Sequence, residues 1–224
     1  MHMNKDIGTS RVVEADVVVC GGGVAGTMAA VAAARQGASV VLVERYGFLG
    51  GNATAGAVAQ FNSWQTGNGR KVVGGLAGEV GERVRRYGGA REHDRFVMST
   101  GHHMDRVEYE PEVLKLVLDD MVGEAGVQPR VHASLLDLQW EGRGVAGLRV
   151  LTKGGVLALR PAVLVDASGD MDALEQAGAR FLELGSGEAL QPATMMFRFG
   201  PIDFERFGAL SEAGLAVLAA RGYA

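Results

Sequence analysis

The segment Gly21-Gly22-Gly23-Val24-Ala25-Gly26 directly follows an apolar run, Val17-Val18-Val19-Cys20. A small-residue stretch predicted as a helix, Thr27 to Gln36, comes next and is closed by Gly37. A second apolar run, Ser39-Val40-Val41-Leu42-Val43, ends in an acid, Glu44, which lies 18 residues after Gly26. Strand, glycine turn, helix, strand and terminal carboxylate in this order are the parts of a dinucleotide-binding unit. Gly21 permits the tight turn out of the strand. Gly23, having no Cβ, lets the main chain lie against a pyrophosphate, and Gly26 lets the helix pack close to the strands. The helix start turns its free N–H groups toward the phosphates. Glu44 is placed to accept both hydroxyls of a ribose, and Arg45 stands beside it. A 2′-phosphate is disfavoured by Glu44.

Other elements must position this turn. Residues 46–75 read as a long irregular connection, of the kind that usually carries function, in which the backbone of Gly50-Gly51-Asn52-Ala53-Thr54-Ala55-Gly56 and the Thr54 hydroxyl are candidates to approach a ligand. Leu76, Val80, Val84 and Tyr87 share one face of a predicted helix. The segment from Arg91 to Glu108 holds His93, His102, His103, Asp94 and Asp105 without clean periodicity and reads as a solvated loop. Adjacent His102 and His103 point apart on an extended chain, so no metal site is expected there. Pro111 opens a helix with Leu114, Val117, Leu118, Met121 and Val122 as its buried stripe, and Gly126 closes it. A short strand near Arg130–Ala133 is followed by an antiparallel meander over Leu135–Trp140, Val145–Leu151 and Val156–Leu159. A separate apolar strand, Ala162-Val163-Leu164-Val165, then ends in Asp166-Ala167-Ser168-Gly169-Asp170. These small residues fall at the carboxyl edge of a parallel sheet, where ligands bind in such folds. Ser168 or Asp170 is also placed to cap a helix over Asp172–Ala177.

Bulk properties narrow the class. The chain has 224 residues, 47% of them apolar, and a net charge of −4 without a dense basic run, which argues against nucleic acid or an anionic membrane as partner. A single cysteine, Cys20, excludes an intrachain disulfide and a complete iron–sulfur ligand set. The polar N-terminus has no secretion signal, and the apolar-looking stretch Val24 to Ala34 is too short to span a bilayer. A cytoplasmic location is expected.

GGGVAGTMAA, ERYGFLGGNATAG, PEVLKLVLDDM and VDASGD, in that order, resemble the FAD-dependent oxidoreductases of the glutathione-reductase-type fold, in the branch similar to fumarate reductase flavoproteins. The resemblance runs from Asp16 to about Asp203. It implies an α/β fold: a Rossmann-like FAD-binding domain with a parallel sheet, an antiparallel β-meander insertion and an incomplete substrate domain. By that resemblance Gly21, Gly23, Val24, Ala25 and Gly26 cradle the FAD pyrophosphate, Glu44 and Arg45 hold the adenosine ribose, and Gly50, Gly51 and Thr54 follow the phosphate-to-flavin section. Backbone near Arg130–Ala133 lies by the adenine, and Ala167, Ser168, Gly169 and Asp170 match the second dinucleotide-edge motif. No histidine lies in the Gly50–Gly56 loop, so the flavin is expected to be non-covalent.

Relatives of this kind run to roughly twice this length. The expected organisation is therefore a flexible tail over 1–15, an FAD-binding domain over 16–180 with an insertion at about 52–105, and the start of a truncated substrate domain over 181–224. That last part includes a strand-like Ala193–Phe199 and a helical stretch after Asp203. Hydride or electron transfer between a small-molecule substrate and the flavin follows as the expectation, with an electron-transfer protein as the further partner and catalytic residues unassigned. The alternatives are a nicotinamide-dependent dehydrogenase, which the meander disfavours, and a non-catalytic nucleotide-binding module.

Overall fold

Val17-Val18-Val19-Cys20 is apolar throughout because both faces of its strand are covered. Val19 packs with Val31, Leu42, Leu114 and Leu118 on one side, and Val18 and Cys20 pack with Leu138, Leu148 and Leu159 on the other. This arrangement is seen in a computed structural model that describes residues 9–66, 68–91, 94–97, 101, 103–182, 193–198, 200–203, 205–206 and 209. The chain divides into two units, Met1–Gln191 and Pro192–Ala224.

Strands β1 (Thr9–Cys20) and β2 (Val40–Val43) flank helix α1 (Val24–Arg35), and the strands pair in parallel with Val19 opposite Leu42. The main sheet also takes in β6 (Gln128–Arg130), β7 (Ser134–Glu141), β8 (Gly144–Thr152) and β9 (Gly155–Asp166), in the order β6-β2-β1-β9-β8-β7. The first four of these strands are parallel, and β7–β8–β9 form the expected meander. Helices α1, α2 (Gly75–Arg86) and α3 (Pro111–Ala125) share one core with one face of the sheet. The short α4 (Asp172–Gln176) contributes Ala173 to the core on the other face. Pro111 begins α3, Gly126 ends it in the left-handed region at φ 75°, and all five predicted stripe residues are buried.

Several expectations are corrected. The tail expected over residues 1–15 is strand from Thr9 onward, because Thr9–Ala15 pairs with Val156–Pro161 and covers what would be an open edge of β9. The two strands expected at Val156–Leu159 and Ala162–Val165 are one strand of 12 residues. Pro161 is tolerated within it because β8 pairs with β9 only as far as Leu159, so the missing N–H breaks no bond to β8. Tyr87 is exposed, and its hydroxyl donates to Asp120 at 2.9 Å, tying α2 to α3.

The segments read as irregular connection and solvated loop contain a second, antiparallel sheet. It is built from β3 (Gln60–Asn62), β4 (Asp94–Val97) and β5 (His103–Glu108) in the order β3-β5-β4. Phe61 faces Val107 across it, and Val107 and Asp105 are buried. His93 and His102 lie outside the described residues, and no group of metal-ligating side chains occurs among the described ones. Residues 193–198, expected to be strand-like, form no strand, and most of the predicted helix after Asp203 lies outside the described residues. No described helix is long and apolar enough to cross a membrane.

The three helices are also joined by charge. Glu79 on α2 accepts from Arg35 on α1 at 2.6 Å and from Arg83 at 2.8 Å, and Arg83 reaches Glu124 on α3 at 2.6 Å. Hydrogen bonding from Arg35, helped by Arg83, lowers the Glu79 carboxyl from 4.5 to about 2. Because the folded value is the lower one, this contribution to stability is full above about 4.5 and fades as pH falls toward about 2. Chemical denaturation at a series of acid pH values should show wild type losing more stability over that window than Glu79→Gln. Equal losses would mean the network does not hold Glu79 ionised.

Candidate cofactor-binding site

Four glycines at the β1–α1 turn do different work. Gly21 has φ +100°, and a Cβ there would lie 2.2 Å from the carbonyl oxygen of Ala167 at the end of β9. A Cβ at Gly26 would lie 1.9 Å from the Gly21 carbonyl oxygen, so this residue sets how closely α1 seats on the strand. Gly22, which the fingerprint leaves free, is equally confined: a Cβ would meet Leu49 at 2.7 Å and Glu44 at 2.9 Å. Gly23 is the exception. Its φ −61° and ψ 175° suit any residue, and the nearest atom to a Cβ would be Gly51 Cα at 4.0 Å. Its missing side chain leaves room in the cleft, not in the protein.

Gly23 is also the N-cap of α1. No side chain caps the helix and its first turn has no acid. The first bond of the helix runs from Thr27 N–H to the Gly23 carbonyl at 2.9 Å. The N–H groups before Thr27 therefore have no intrahelical acceptor, and the first turn carries no acid of its own to meet the positive end of the helix. The Thr27 hydroxyl donates to the Gly22 carbonyl at 3.0 Å, fixing the turn from inside.

Glu44 is 5% exposed at the end of β2. One carboxylate oxygen accepts the Gly22 N–H at 2.7 Å and the other accepts the Tyr46 N–H at 2.8 Å. The carboxylate is thus aimed and locked, with a lone pair on each oxygen left for a further donor. Glu44→Gln would set an amide NH₂ against one of those N–H groups. We expect dinucleotide affinity to fall by about 1–3 kcal/mol, the cost of losing a charged acceptor and stranding a donor. Calorimetric titration checks this, and unchanged affinity would assign Glu44 a purely structural role.

The chain from 49 to 58 forms the next wall. Gly50 N–H donates to the Gly22 carbonyl at 2.8 Å, joining this loop to the glycine turn. Gly51–Ala53 is a single 3-10 turn. Thr54 departs from expectation: it is buried, and its hydroxyl donates to the Leu49 carbonyl at 2.7 Å, so it braces the loop and does not face the cleft.

At the end of β9 Ser168 caps the helix as expected, and the acid that joins it is Asp166, not Asp170. Asp170 does not line the cleft or cap a helix. Asp166 does the capping: it accepts from Ser168 N–H and hydroxyl at 3.0 and 2.7 Å, and from Ala173 and Leu174 N–H at 2.9 Å each. Burial alone would raise its pKa, but these hydrogen bonds outweigh it and hold the carboxyl below its ordinary value. Ser168 in turn accepts from Asp172 N–H at 2.9 Å. Burial first, then the charges of Asp166 and Asp172, push the Cys20 thiol up to about 12, so it is an inert core residue.

Two hollows result. One of about 490 Å³ is lined by Gly21, Gly23, Val24, Ala25, Glu44, Arg45, Gly50, Gly51, Ala167, Ser168 and Gly169 among the predicted residues. Asn52 and Ala53, in the stretch expected near a ligand, also line it, as do Tyr46, Val58 and Tyr109, which the sequence did not single out for the site. The other, about 170 Å³, shares Gly21, Glu44, Arg45 and Ser168 and adds Ala133, Ser134 and Leu135 just beyond β6. Gly26, Thr54 and Asp170 line neither. The uncapped helix start, the open side of Gly23 and the locked carboxylate suit a diphosphate with a neighbouring ribose.

The chain belongs to the FAD dependent oxidoreductase family, whose model matches residues 16–220. Its cofactor is accordingly FAD. Its fold is similar to that of a geranylgeranyl bacteriochlorophyll reductase-like protein from Thermoplasma acidophilum, with TM-score 0.58 and 18% identity over 78% of this chain and 44% of that one. It is also similar to a flavin-dependent brominase, with TM-score 0.53 and 21% identity over 74% of this chain and 41% of that one. A myxobacterial FAD-dependent chondrochloren halogenase gives TM-score 0.50 and 21% identity over 69% of this chain and 37% of that one. The chain thus spans less than half the length of these structures. No curated protein matches it.

Proposed function

We propose that this chain is the FAD-binding part of an oxidoreductase that moves hydride or electrons between a small organic substrate and a non-covalent flavin. The observation that carries the reading is Gly23: alone among the turn glycines it leaves open cleft where a side chain would stand. In this reading the N–H groups of Gly23, Val24 and Ala25 receive the diphosphate. Glu44 accepts the ribose hydroxyls, with Arg45 beside them. Gly50 and Gly51 follow the diphosphate toward the flavin, and Ala167, Ser168 and Gly169 close the opposite side. Gly21 and Gly26 act behind these, by holding strand and helix together. Bound flavin would supply the hydride chemistry, and the protein binds, orients and shields it.

The motifs quoted above support the fumarate reductase flavoprotein-like branch, with residues 16–180 binding FAD and 181–224 beginning a substrate domain. A cytoplasmic protein working with an electron-transfer partner fits the same reading. Purified chain incubated with FAD and desalted should remain yellow and release free flavin on denaturation. Protein that stays colourless and leaves FAD fluorescence unchanged would overturn the reading.

A further inference from the structure

We infer that Tyr109 is a positioning residue for the cofactor, its hydroxyl clamping the 52–58 loop so that one wall of the cleft is formed before FAD arrives. The inference rests on the FAD reading above. Tyr109 follows β5 on the second sheet, is 5% exposed, and lines the larger hollow. Its hydroxyl donates its one proton between two main-chain carbonyls, that of Ala53 at 3.0 Å and that of Val58. These carbonyls stand at either end of the turn that carries Ala55 and Gly56, both in the cleft wall.

The loop is therefore fastened at both ends. Its outgoing end is tied to the glycine turn through Gly50 N–H and the Gly22 carbonyl at 2.8 Å. Its returning end is tied to the second sheet through Tyr109, whose own N–H also donates to the Ala59 carbonyl at 3.0 Å. Between them Ala57 sits at φ +56°, a left-handed conformation that a residue with a Cβ holds only when its surroundings impose it. The Tyr109 ring is itself fixed, stacked on Phe61 at 4.3 Å, and Phe61 meets Trp64 edge-on at 5.9 Å. A wall ordered in advance spares the ligand the cost of ordering it.

Tyr109→Phe keeps the ring and its stack and removes only the hydroxyl. The chain has two tryptophans, so in a Trp140→Phe background the buried Trp64 reports FAD binding by fluorescence. Tyr109→Phe should raise the FAD dissociation constant about tenfold, the worth of one buried hydrogen bond. The visible circular dichroism of bound flavin should change, and amide hydrogen exchange at Gly56 and Val58 should quicken in the apo protein. Adding Ala57→Gly, which relaxes the left-handed residue, should recover most of the lost affinity. Unchanged exchange in the apo protein overturns the clamp whether or not FAD binds. Faster exchange with unchanged affinity and unchanged flavin dichroism overturns the positioning role. Wild type that binds no FAD would instead sink the functional reading, while the exchange result still decides the clamp.

Discussion

Gly23→Val should abolish useful FAD binding while leaving the apo protein folded. The backbone at Gly23 already has angles that valine adopts, and beyond its chain neighbours the nearest atom to a Cβ there is Gly51 Cα at 4.0 Å. The isopropyl group would instead occupy the space between the start of α1 and the 50–56 loop, where the diphosphate is expected. Losing its bonds to the helix N–H groups should cost about 3 kcal/mol or more, a rise in dissociation constant of roughly 100-fold. Thermal melting of the apo protein should shift little, and titration should show the loss. A Gly23→Val chain with wild-type affinity would mean the diphosphate does not pass this turn.

Gly26→Ala should do the opposite and damage the fold itself. Its Cβ would lie 1.9 Å from the Gly21 carbonyl oxygen and 3.0 Å from the Ala167 side chain, with main chain on the near side and no flexible group to yield. Helix α1 would have to lift from β1, disturbing Ala30 and Val31 in the fully buried core. We expect a cost of about 3 kcal/mol, at the upper end of overpacking effects, and a drop in melting temperature of roughly 6–12 °C for a body of this size. Differential scanning calorimetry without FAD measures it. A stable Gly26→Ala apo protein that merely loses FAD would move Gly26 into the cleft and contradict the packing described here.

The contrast between these two residues was legible before any coordinates, because strand, turn, helix and acid all agreed on one unit. Helix α3 was equally clear: Pro111 and Gly126 punctuate a regular apolar stripe. The second sheet was not. Its strands are only three to six residues long, β4 and β5 are interrupted by charge, and β3 pairs across distant chain, Gln60 with Glu108. Local alternation cannot announce a strand whose partner lies that far away. The start of β1 was hidden for the same reason, since Thr9 finds its partner at Val156.

Within the site, residue type alone could not decide direction. Thr54 and Asp170 each stood in the right neighbourhood, yet Thr54 turns inward to Leu49 and the capping falls to Asp166. Tyr109 belongs to no motif. Only the folded path of the 52–58 loop brings two carbonyls to its hydroxyl.

The most direct measurement is a crystal structure of the chain grown with FAD. The diphosphate should lie within about 3 Å of the N–H groups at the start of α1, beside Gly23, with the ribose hydroxyls on Glu44. Clear density for FAD with its diphosphate elsewhere, or with Glu44 still bound only to Gly22 and Tyr46, would contradict the account.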